Sequence, residues 1–331
     1  MQFRLSTPAL ALSLCLSAST LFCAPGYAAW HKQQRNMMGT VISLEIDTND
    51  DKQANFCSTQ VFDEFHRIEQ LMSPYIRDSE ISLINSEAEH KAVEVSPELF
   101  ELLKTSMKFS QLSQGAFDIS FASIGHQYDY RKHIQPDETQ IKQSLPAVNF
   151  RHIELINNTI HFSRPGMRID LGGIAKGYSV DRAIALLQQC GIQSGIVSAG
   201  GDSRIIGDKN GRPWIIGIQH PRKKQAYALR IPLTNSAIST SGDYERYFLT
   251  NDRRIHHIIN PRTGRSARKS WSASVIGPDA TTTDALSTTM FILGAEQGIQ
   301  LINTMKNLDA IIIDDKGKIH YSSGLVSADP S

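Results

Sequence analysis

The second half of this 331-residue chain is a series of short alternating segments separated by turn residues, and this pattern restricts the fold most strongly. The predicted strands lie at 152–156, 159–163, 195–198, 203–206, 214–219, 226–231, 237–239, 244–249, 254–259 and 272–276. Turn-forming residues at Asn157-Asn158, Asn251-Asp252 and 314–317 predict hairpins. Because consecutive hairpins build antiparallel sheets, the sequence predicts an α+β fold with a largely antiparallel sheet.

Helical segments flank the predicted strands. The pattern predicts helices at 175–190 and at about 284–304, with a break at Gly294. In the first half, a strand at 40–46 precedes an amphipathic helix that ends at Ser73-Pro74. A second helix begins at Ser96-Pro97, where serine is a preferred cap and proline suits the first helical position.

Residues 126–149 are polar, which predicts an excursion on the surface, and no linker or shift in composition divides the chain. We therefore expect one domain over 29–331.

The first 28 residues have the features of a secretory signal peptide. Arg4 precedes the apolar run LALSLCLSASTLFCA, and small residues at Gly26 and Ala28 suit cleavage before Ala29. We therefore expect a periplasmic, exported protein. The alternative is a lipid anchor at Cys23, which Phe22 disfavours because such signals use a small residue there.

Charge and cysteine content restrict the function further. The net charge is +1, with no basic stripe, so the sequence does not indicate nucleic-acid binding. After removal of the signal, Cys57 and Cys190 remain. An oxidising compartment would permit a disulfide between them, but two buried free thiols fit the sequence equally well.

The segment DATTTDALSTTM, residues 279–290, contains unusual chemistry for a helix start. Asp284 and Thr288 are four residues apart and share one helix face. In one interpretation, Thr281 to Asp284 form the capped beginning of a helix. In the other, the Asp284 carboxylate and the Thr288 hydroxyl are oxygen ligands of Mg²⁺.

The segment DLGGIAKG, residues 170–177, predicts a strand, a Gly172-Gly173 turn and a helix with Lys176 in its first turn. A glycine turn before a helix N-terminus exposes backbone N–H groups to an anion. The segment matches no phosphate-loop motif, and a tight turn with a solvated Lys176 is the alternative interpretation.

Three further segments carry candidate functional groups. His256 and His257 precede the turn Asn-Pro-Arg-Thr-Gly at 260–264, and neighbouring strand residues face opposite ways, so one histidine can face a pocket. The glycine pair before Asp202 permits close approach of a ligand to the backbone. The segment Gly115 to Asp118 places an aromatic ring beside a carboxylate.

Taken together and in order, these motifs resemble the ApbE-type FAD:protein FMN transferases. The resemblance rests on MGT at 38–40, MSPYIRDSEISLIN, GAFDIS, DLGGIAKGYSVD, SAGGD, HHIINPRTG and DATTTDALSTTMFILG. It implies a T-fold-like domain that transfers the FMN part of FAD to a threonine or serine of an acceptor protein. AMP is released and Mg²⁺ is required. The implied acceptors are flavoproteins such as subunits of ion-pumping NADH:quinone or related oxidoreductases, with the inner membrane reached only through them or a lipid anchor.

The resemblance also implies roles for individual residues. The Mg²⁺ ligands would be the Gly173 carbonyl, Asp284 and Thr288, with Lys176 assisting. His257 is the candidate general base, and Asp118 or a metal-bound network are the alternatives. The implied FAD contacts are Met38, Tyr75, Ala116, Phe117, Asp118, Asp170, Lys176, His257 and Ile258.

Two other functions use the same residues. Water in place of the acceptor hydroxyl would give a metal-dependent FAD pyrophosphatase that produces FMN and AMP. A non-catalytic FAD carrier is the second alternative, although it would have no use for Asp284, Thr288 and His257.

Overall fold

The computed structural model describes residues 29–251 and 253–325. The predicted signal peptide, with Cys23, lies outside the described residues. The strands are β1 (Trp30–Met37), β2 (Thr40–Asp47), β3 (Val93–Glu94), β4 (Ile153–Ile156), β5 (Thr159–Phe162), β6 (Gly195–Ala199), β7 (Asp202–Ile206), β8 (Trp214–Gln219), β9 (Tyr227–Leu233), β10 (Ala237–Gly242), β11 (Tyr247–Thr250), β12 (Arg253–His256), β13 (Ile259–Asn260), β14 (Arg265–Ser266), β15 (Ser270–Gly277), β16 (Asp309–Asp314) and β17 (Ile319–Tyr321). The helices are α1 (Asp51–Met72), α2 (Glu80–Glu87), α3 (Pro97–Leu112), α4 (Ala122–Gly125), α5 (Glu138–Ser144), α6 (Ala175–Gln189), α7 (Ala280–Leu293) and α8 (Ala295–Ile302).

Eight strands form the main sheet in the order β1-β2-β6-β7-β10-β15-β16-β17, and every neighbouring pair is antiparallel. The predicted α+β fold with an antiparallel sheet is therefore confirmed. The predicted hairpins are present as β4–β5, β11–β12 and β16–β17. Their turns contain Asn157, Asn251 and Gly317, all with positive φ, as turn chemistry requires.

Alternating side chains of the sheet pack against two different layers. On one face, β2 and β6 contribute Leu44 and Val197 to an apolar core with α1 and α6, and α7 packs on β10 and β15. On the other face, Ile238 of β10 contacts Ile218 of the β8–β9 hairpin. The helix layer is the one that matters for the candidate site, because it brings α6 and α7 side by side.

The helix predicted to begin at residue 284 begins four residues earlier, at Ala280. Its cap is Asp279, which accepts a 2.8 Å hydrogen bond from Thr282 N. Asp181 of α6 satisfies two more amide groups, Ala280 N and Thr281 N, at 2.8 Å each. Thr281 to Thr283 therefore lie in the capped first turn, as one interpretation predicted, but the cap is Asp279, and Asp284 lies inside the helix and is buried.

Cys57 and Cys190 form a disulfide, which resolves the alternative that the sequence left open. Cys57 belongs to α1 and Cys190 is the C-cap of α6. The bond therefore ties α1 to the end of α6 that lies farthest along the helix from Lys176.

Residues 126–149 lie mostly on the surface, as predicted, but a few buried side chains anchor them to the rest of the domain. The segment includes α5, whose Ile141 is buried beside Ile124 and Ile259. The Tyr128 hydroxyl donates a 2.8 Å hydrogen bond to the Gly264 carbonyl. This segment thus packs against the turn at 260–264, through contacts that its polar composition did not indicate. No helix within 29–251 and 253–325 has the length and apolar character needed to cross a membrane. The extent of the domain, 29–331, stays a prediction.

Candidate functional site

The centre of the candidate site is a buried cluster of one ammonium and two carboxylates. Lys176 Nζ forms an ion pair with Asp202 Oδ2 and lies 3.5 Å from Asp284 Oδ2. Both carboxylate side chains are almost completely buried, whereas the Lys176 side chain remains 28% exposed. The cluster therefore opens to solvent on the side of Lys176, which comes from the first turn of α6.

The first turn of α6 is capped from another helix. Gly177 is the third residue of α6, so its N–H has no partner within the helix, and it donates to Asp284 Oδ2 at 3.0 Å. Among the described residues, no hydrogen bond reaches the Gly173 carbonyl or Asp284 Oδ1. Two oxygen atoms near the mouth of the cluster are therefore available to a ligand.

Thr288 lies beside these oxygens. A Cβ at Gly173 would lie 3.3 Å from Thr288 Oγ1, so the backbone of the glycine turn approaches this hydroxyl directly. Ser241, at the end of β10, holds Thr288 Oγ1 at 3.2 Å and Ser287 Oγ at 2.9 Å. Of the three residues predicted to bind the metal, Gly173 thus lies against Thr288, and Asp284 lies one helical turn before Thr288 on α7.

The chemistry of this donor set suits a hard cation. A carbonyl, a carboxylate and a hydroxyl are oxygen donors, which Mg²⁺ prefers, while substrate and water can complete its coordination. Within the described part of the chain, no group of three or more His, Cys, Asp or Glu side chains is arranged to hold a metal. A site based on one carboxylate is consistent with this finding, since its other donors are a hydroxyl and a main-chain carbonyl.

The charges in the cluster shift one another's pKa values. Burial and the neighbouring Asp202 raise the pKa of Asp284 to about 7, against the opposing effect of Lys176. Burial alone would lower the pKa of Lys176, but Asp202 and Asp284 raise it above its ordinary value. Lys176 is therefore a permanent cation, and Asp284 is the carboxyl whose charge depends most on its surroundings.

The two consecutive histidines differ in burial, but the predicted strand at 254–259 is interrupted, and His257 lies in a bend between β12 and β13. His256 is 3% exposed; its Nε2 hydrogen-bonds the Ala267 carbonyl at 2.7 Å, and its Nδ1 accepts from Ile258 N at 3.3 Å. Its ring packs edge-on against Phe291. His256 is therefore a core residue with both ring nitrogens occupied.

His257 has a different environment. Its Nδ1 is buried and forms no well-aligned hydrogen bond within the described residues, although the Arg246 carbonyl is close enough to favour the protonated ring. Since the ring is only partly buried, Nε2 is the nitrogen that can reach a ligand. Burial, His256 and Arg246 lower the pKa of His257 to about 3, so the free ring is neutral at physiological pH.

Several predicted FAD contacts lie around this cluster. Phe117 is buried, and its ring edge lies 3.3 Å from where a Cβ of Gly173 would stand. Asp170 accepts a 2.6 Å hydrogen bond from Gly172 N in the same glycine turn. Met38 has φ +51° and occupies the β1–β2 turn, where its amide donates to Glu69 Oε1 at 2.9 Å.

The remaining predicted FAD contacts differ widely in exposure. Ala116 and Ile258 are buried, at 2% and 7% exposure, whereas Tyr75 is 86% exposed and offers a free ring face. Partial desolvation of the hydroxyl and then the Asp170 carboxylate raise the pKa of Tyr75. The hydroxyl therefore lies near the glycine turn. The contacts of all these residues with FAD stay predictions.

Asp118 is engaged within the protein. Its Oδ1 accepts from Ser120 N and Ser120 Oγ at 2.8 and 2.6 Å, and its Oδ2 accepts from Phe150 N at 2.8 Å. Burial raises the pKa of Asp118, against the effect of these hydrogen bonds. These hydrogen bonds orient the segment that carries Phe117. Because they occupy both oxygens of Asp118, they favour His257 over Asp118 as the general base.

Sequence reasoning missed four residues that build the site. Asp202 was noted only for the glycines before it, yet it pairs with Lys176. Asp181 caps α7, Gly177 bonds Asp284, and Ser241 holds Thr288. A glycine inside the first turn of a predicted helix was the one available signal, because such a residue often marks a close approach of two elements.

Comparisons with known proteins agree with this geometry. The sequence model of the ApbE family matches residues 38–312. An FAD:protein FMN transferase of Treponema pallidum is 30% identical over 287 residues, covering 81% of this chain and 79% of that protein. One of Klebsiella pneumoniae is 29% identical over 293 residues, covering 87% and 90%.

Solved structures are similar as well. The ApbE protein of Thermotoga maritima matches with a TM-score of 0.83 at 31% identity, covering 89% of this chain and 98% of that one. The flavin transferase ApbE of Vibrio cholerae matches with a TM-score of 0.79 at 27% identity and the same coverage. Since the family match spans most of the sequence and the fold agrees, this chain belongs to the ApbE family.

Proposed function

We propose that this protein transfers the FMN part of FAD to a threonine or serine hydroxyl of an acceptor flavoprotein. The observation that carries this proposal is that Gly173 lies against Thr288, one turn after Asp284 on α7, with Lys176 beside the Asp284 carboxylate, in a member of the ApbE family. The names of the relatives support the same activity.

Mg²⁺ is the proposed cofactor, and Gly173, Asp284 and Thr288 would hold it. Bound there, the cation would neutralise negative charge on the pyrophosphate and on the departing AMP. The Asp284 carboxylate is well prepared for this task, because Gly177 N–H and Lys176 fix its Oδ2 and leave its Oδ1 unoccupied.

The chain's own residues have distinct tasks in the reaction. Lys176, in the first turn of α6, attracts the pyrophosphate. The acceptor oxygen attacks the phosphorus on the FMN side, a new P–O ester forms, and the P–O bond to AMP breaks. His257 Nε2 takes the hydroxyl proton.

A histidine whose pKa is near 3 is a weak base in the free protein. Burial and nearby positive charge cause this low value, and an anionic pyrophosphate beside His257 opposes the second cause. Binding of FAD therefore raises the basicity of His257 when the proton must be accepted. The ring stays neutral and available before that point.

The test uses the purified mature chain with FAD, MgCl₂ and an acceptor flavoprotein domain. Transfer gives a fluorescent flavin band on the denatured acceptor, together with AMP, and a variant acceptor without the hydroxyl stays dark. If AMP and free FMN form without a labelled acceptor, the protein is an FAD pyrophosphatase. If FAD binds but stays intact, it is a carrier, and our proposal fails.

We further propose that the protein acts in the periplasm on flavoproteins such as subunits of ion-pumping NADH:quinone oxidoreductases. The N-terminal sequence pattern and the Cys57–Cys190 disulfide support an oxidising compartment. N-terminal sequencing of protein from the periplasmic fraction should begin near Ala29. A lipid-modified Cys23 would replace the soluble form by an anchored one, and retention of residues 1–28 would contradict export.

A further inference from the structure

Arg246 is a cation near the candidate site that the cluster around Lys176 does not use. It forms no ion pair with a carboxylate in the described part of the chain, and its side chain is exposed. Lys176, by contrast, is paired with Asp202 and Asp284. An unpaired guanidinium beside a predicted phosphate site is a candidate for binding the ligand itself.

The backbone of Arg246 is fixed between two parts of the site. Its carbonyl accepts a 3.2 Å hydrogen bond from the N–H of His257, the proposed base. The segment that carries it follows β10, whose Ser241 contacts Thr288. The main chain at Arg246 therefore connects the proposed base with the strand that supports a proposed metal ligand.

The guanidinium of Arg246 contacts the turn between β1 and β2. One of its nitrogens donates a 3.0 Å hydrogen bond to the Gly39 carbonyl, and a Cβ at Gly39 would lie only 2.6 Å from that nitrogen. The adjacent Thr40 approaches Gly200, in the turn directly before Asp202. The guanidinium thus lies beside the turn that contains Met38, a predicted FAD contact.

The effect of this charge on neighbouring groups agrees with that placement. After burial and His256, Arg246 contributes to the lowered pKa of His257. It also opposes the effect of burial, which raises the pKa of Asp170. Arg246 is therefore within electrostatic reach of both His257 and Asp170, which precedes the glycine turn.

The charge balance of the site leaves a task for this residue, if the proposed function is correct. With both carboxylates ionised, as metal binding requires, Lys176, Asp202 and Asp284 together carry one negative charge, and a bound Mg²⁺ would leave one positive charge. The pyrophosphate of FAD brings two negative charges, so one more cation is needed for neutrality. The guanidinium has five N–H donors, of which Gly39 uses one.

We propose that Arg246 is a substrate-binding residue whose guanidinium contacts a phosphate oxygen of the FAD pyrophosphate. The Gly39 carbonyl holds the guanidinium in position before the substrate arrives, which reduces the conformational freedom lost on binding. The same contact joins the Met38 turn to the phosphate site, so that the flavin end and the phosphate end of the substrate are aligned together.

The test compares three ligands on the wild type and on Arg246→Gln and Arg246→Lys. FAD contains flavin and pyrophosphate, ADP contains the pyrophosphate without flavin, and riboflavin contains flavin without phosphate. All titrations are made with Mg²⁺ present. The matched control is Arg253→Gln, which removes the same charge from an exposed position on the neighbouring β12.

For Arg246→Gln, we expect the dissociation constants of FAD and ADP to rise about 10- to 100-fold, the range for a lost hydrogen bond to a charged group. Riboflavin affinity should stay within about twofold, and Arg246→Lys should recover part of the loss because it keeps the charge. Arg253→Gln should change none of the three constants by more than about twofold.

Two results would overturn the assignment. An unchanged FAD and ADP affinity in Arg246→Gln would mean that the guanidinium does not touch the phosphates. Equal weakening of FAD and riboflavin, with ADP unaffected, would mean that it supports the flavin pocket instead. If the wild type binds neither FAD nor ADP, the proposed function itself is contradicted. This outcome is distinct from the two results above, in which the wild type still binds its ligands.

Discussion

The N–H of Gly177 donates a 3.0 Å hydrogen bond to Oδ2 of Asp284, across 107 residues of sequence. This bond joins the first turn of α6 to the second turn of α7. It also satisfies an amide in the first turn of α6 that has no partner within its own helix. One contact therefore orients the carboxylate and caps the helix that carries Lys176.

A methyl group at position 177 should disrupt this contact. The Cβ of Gly177→Ala would lie 2.1 Å from the Ala280 carbonyl and 2.7 Å from Asp284 Cβ, so the helices must separate. We expect the free energy of unfolding to fall by about 3 kcal/mol, and flavin transfer to be lost. Urea denaturation and the transfer assay measure both effects. Gln189→Ala, on the exposed side of the same helix, should change neither, and a fully active Gly177→Ala would contradict the described crossing.

Asp284 and Thr288 should contribute unequally to the activity. Asp284→Ala removes the charged donor and should abolish transfer, whereas Thr288→Val, which removes one neutral donor, should weaken it less. The stabilisation of the protein by added Mg²⁺, seen as a shift of the melting temperature, should be lost in Asp284→Ala.

Asp279→Asn is the matched control for these variants, because asparagine also caps the same helix. It should retain both the transfer activity and the melting shift. Full activity of Asp284→Ala at ordinary Mg²⁺ concentration would reject the metal assignment.

The two histidines should separate catalysis from stability. His257→Ala should bind FAD with nearly unchanged affinity but transfer FMN about 10²- to 10⁴-fold more slowly, the usual effect of removing a general base. His256→Ala should instead lower stability, because the Ala267 carbonyl loses its buried donor. Single-turnover rates and FAD titrations distinguish the two. A proportional loss of binding and rate in His257→Ala would make that residue a binding contact.

Stability should decrease in mild acid, and His256 should be one cause. Burial lowers the pKa of His256 in the folded protein, while the unfolded chain has the ordinary value near 6.5. As the pH falls below about 6.5, the unfolded chain takes up a proton that the folded His256 does not, so unfolding becomes more favourable.

His256→Gln keeps a donor for the Ala267 carbonyl but cannot titrate. Its stability should therefore fall less than that of the wild type between about pH 7.5 and about pH 5.5, as measured by urea denaturation. Parallel pH profiles of the two proteins would show that His256 is not responsible.

The disulfide should support the fold without taking part in catalysis. It closes a long loop, since Cys57 and Cys190 are 133 residues apart, and a bond of this kind usually contributes about 3 to 5 kcal/mol. The double variant Cys57→Ser, Cys190→Ser should unfold at lower urea concentration and still transfer FMN below its transition. The wild type in a reducing agent should behave like the variant, and an unchanged urea midpoint would contradict this role.

Local sequence determined the secondary structure and much of the candidate site. Alternating side chains and turn residues predicted the β4–β5 and β16–β17 hairpins, because both signals act over a few residues. The i, i+4 spacing of Asp284 and Thr288 placed both on one helix face. Family motifs located Gly173, Lys176 and His257, because each of these residues belongs to a short continuous motif.

Only the tertiary structure decided how these segments meet. Asp181 of α6 accepts hydrogen bonds from the first two amides of α7, a contact that the sequence around neither residue indicates. The contact of Arg246 with Gly39 spans 207 residues, and no local pattern in either segment indicates it. Contacts of this kind depend on the order of strands in the sheet and on the crossing of α6 with α7. Those are set by the burial of apolar side chains over the whole chain, which is not a property of any single segment.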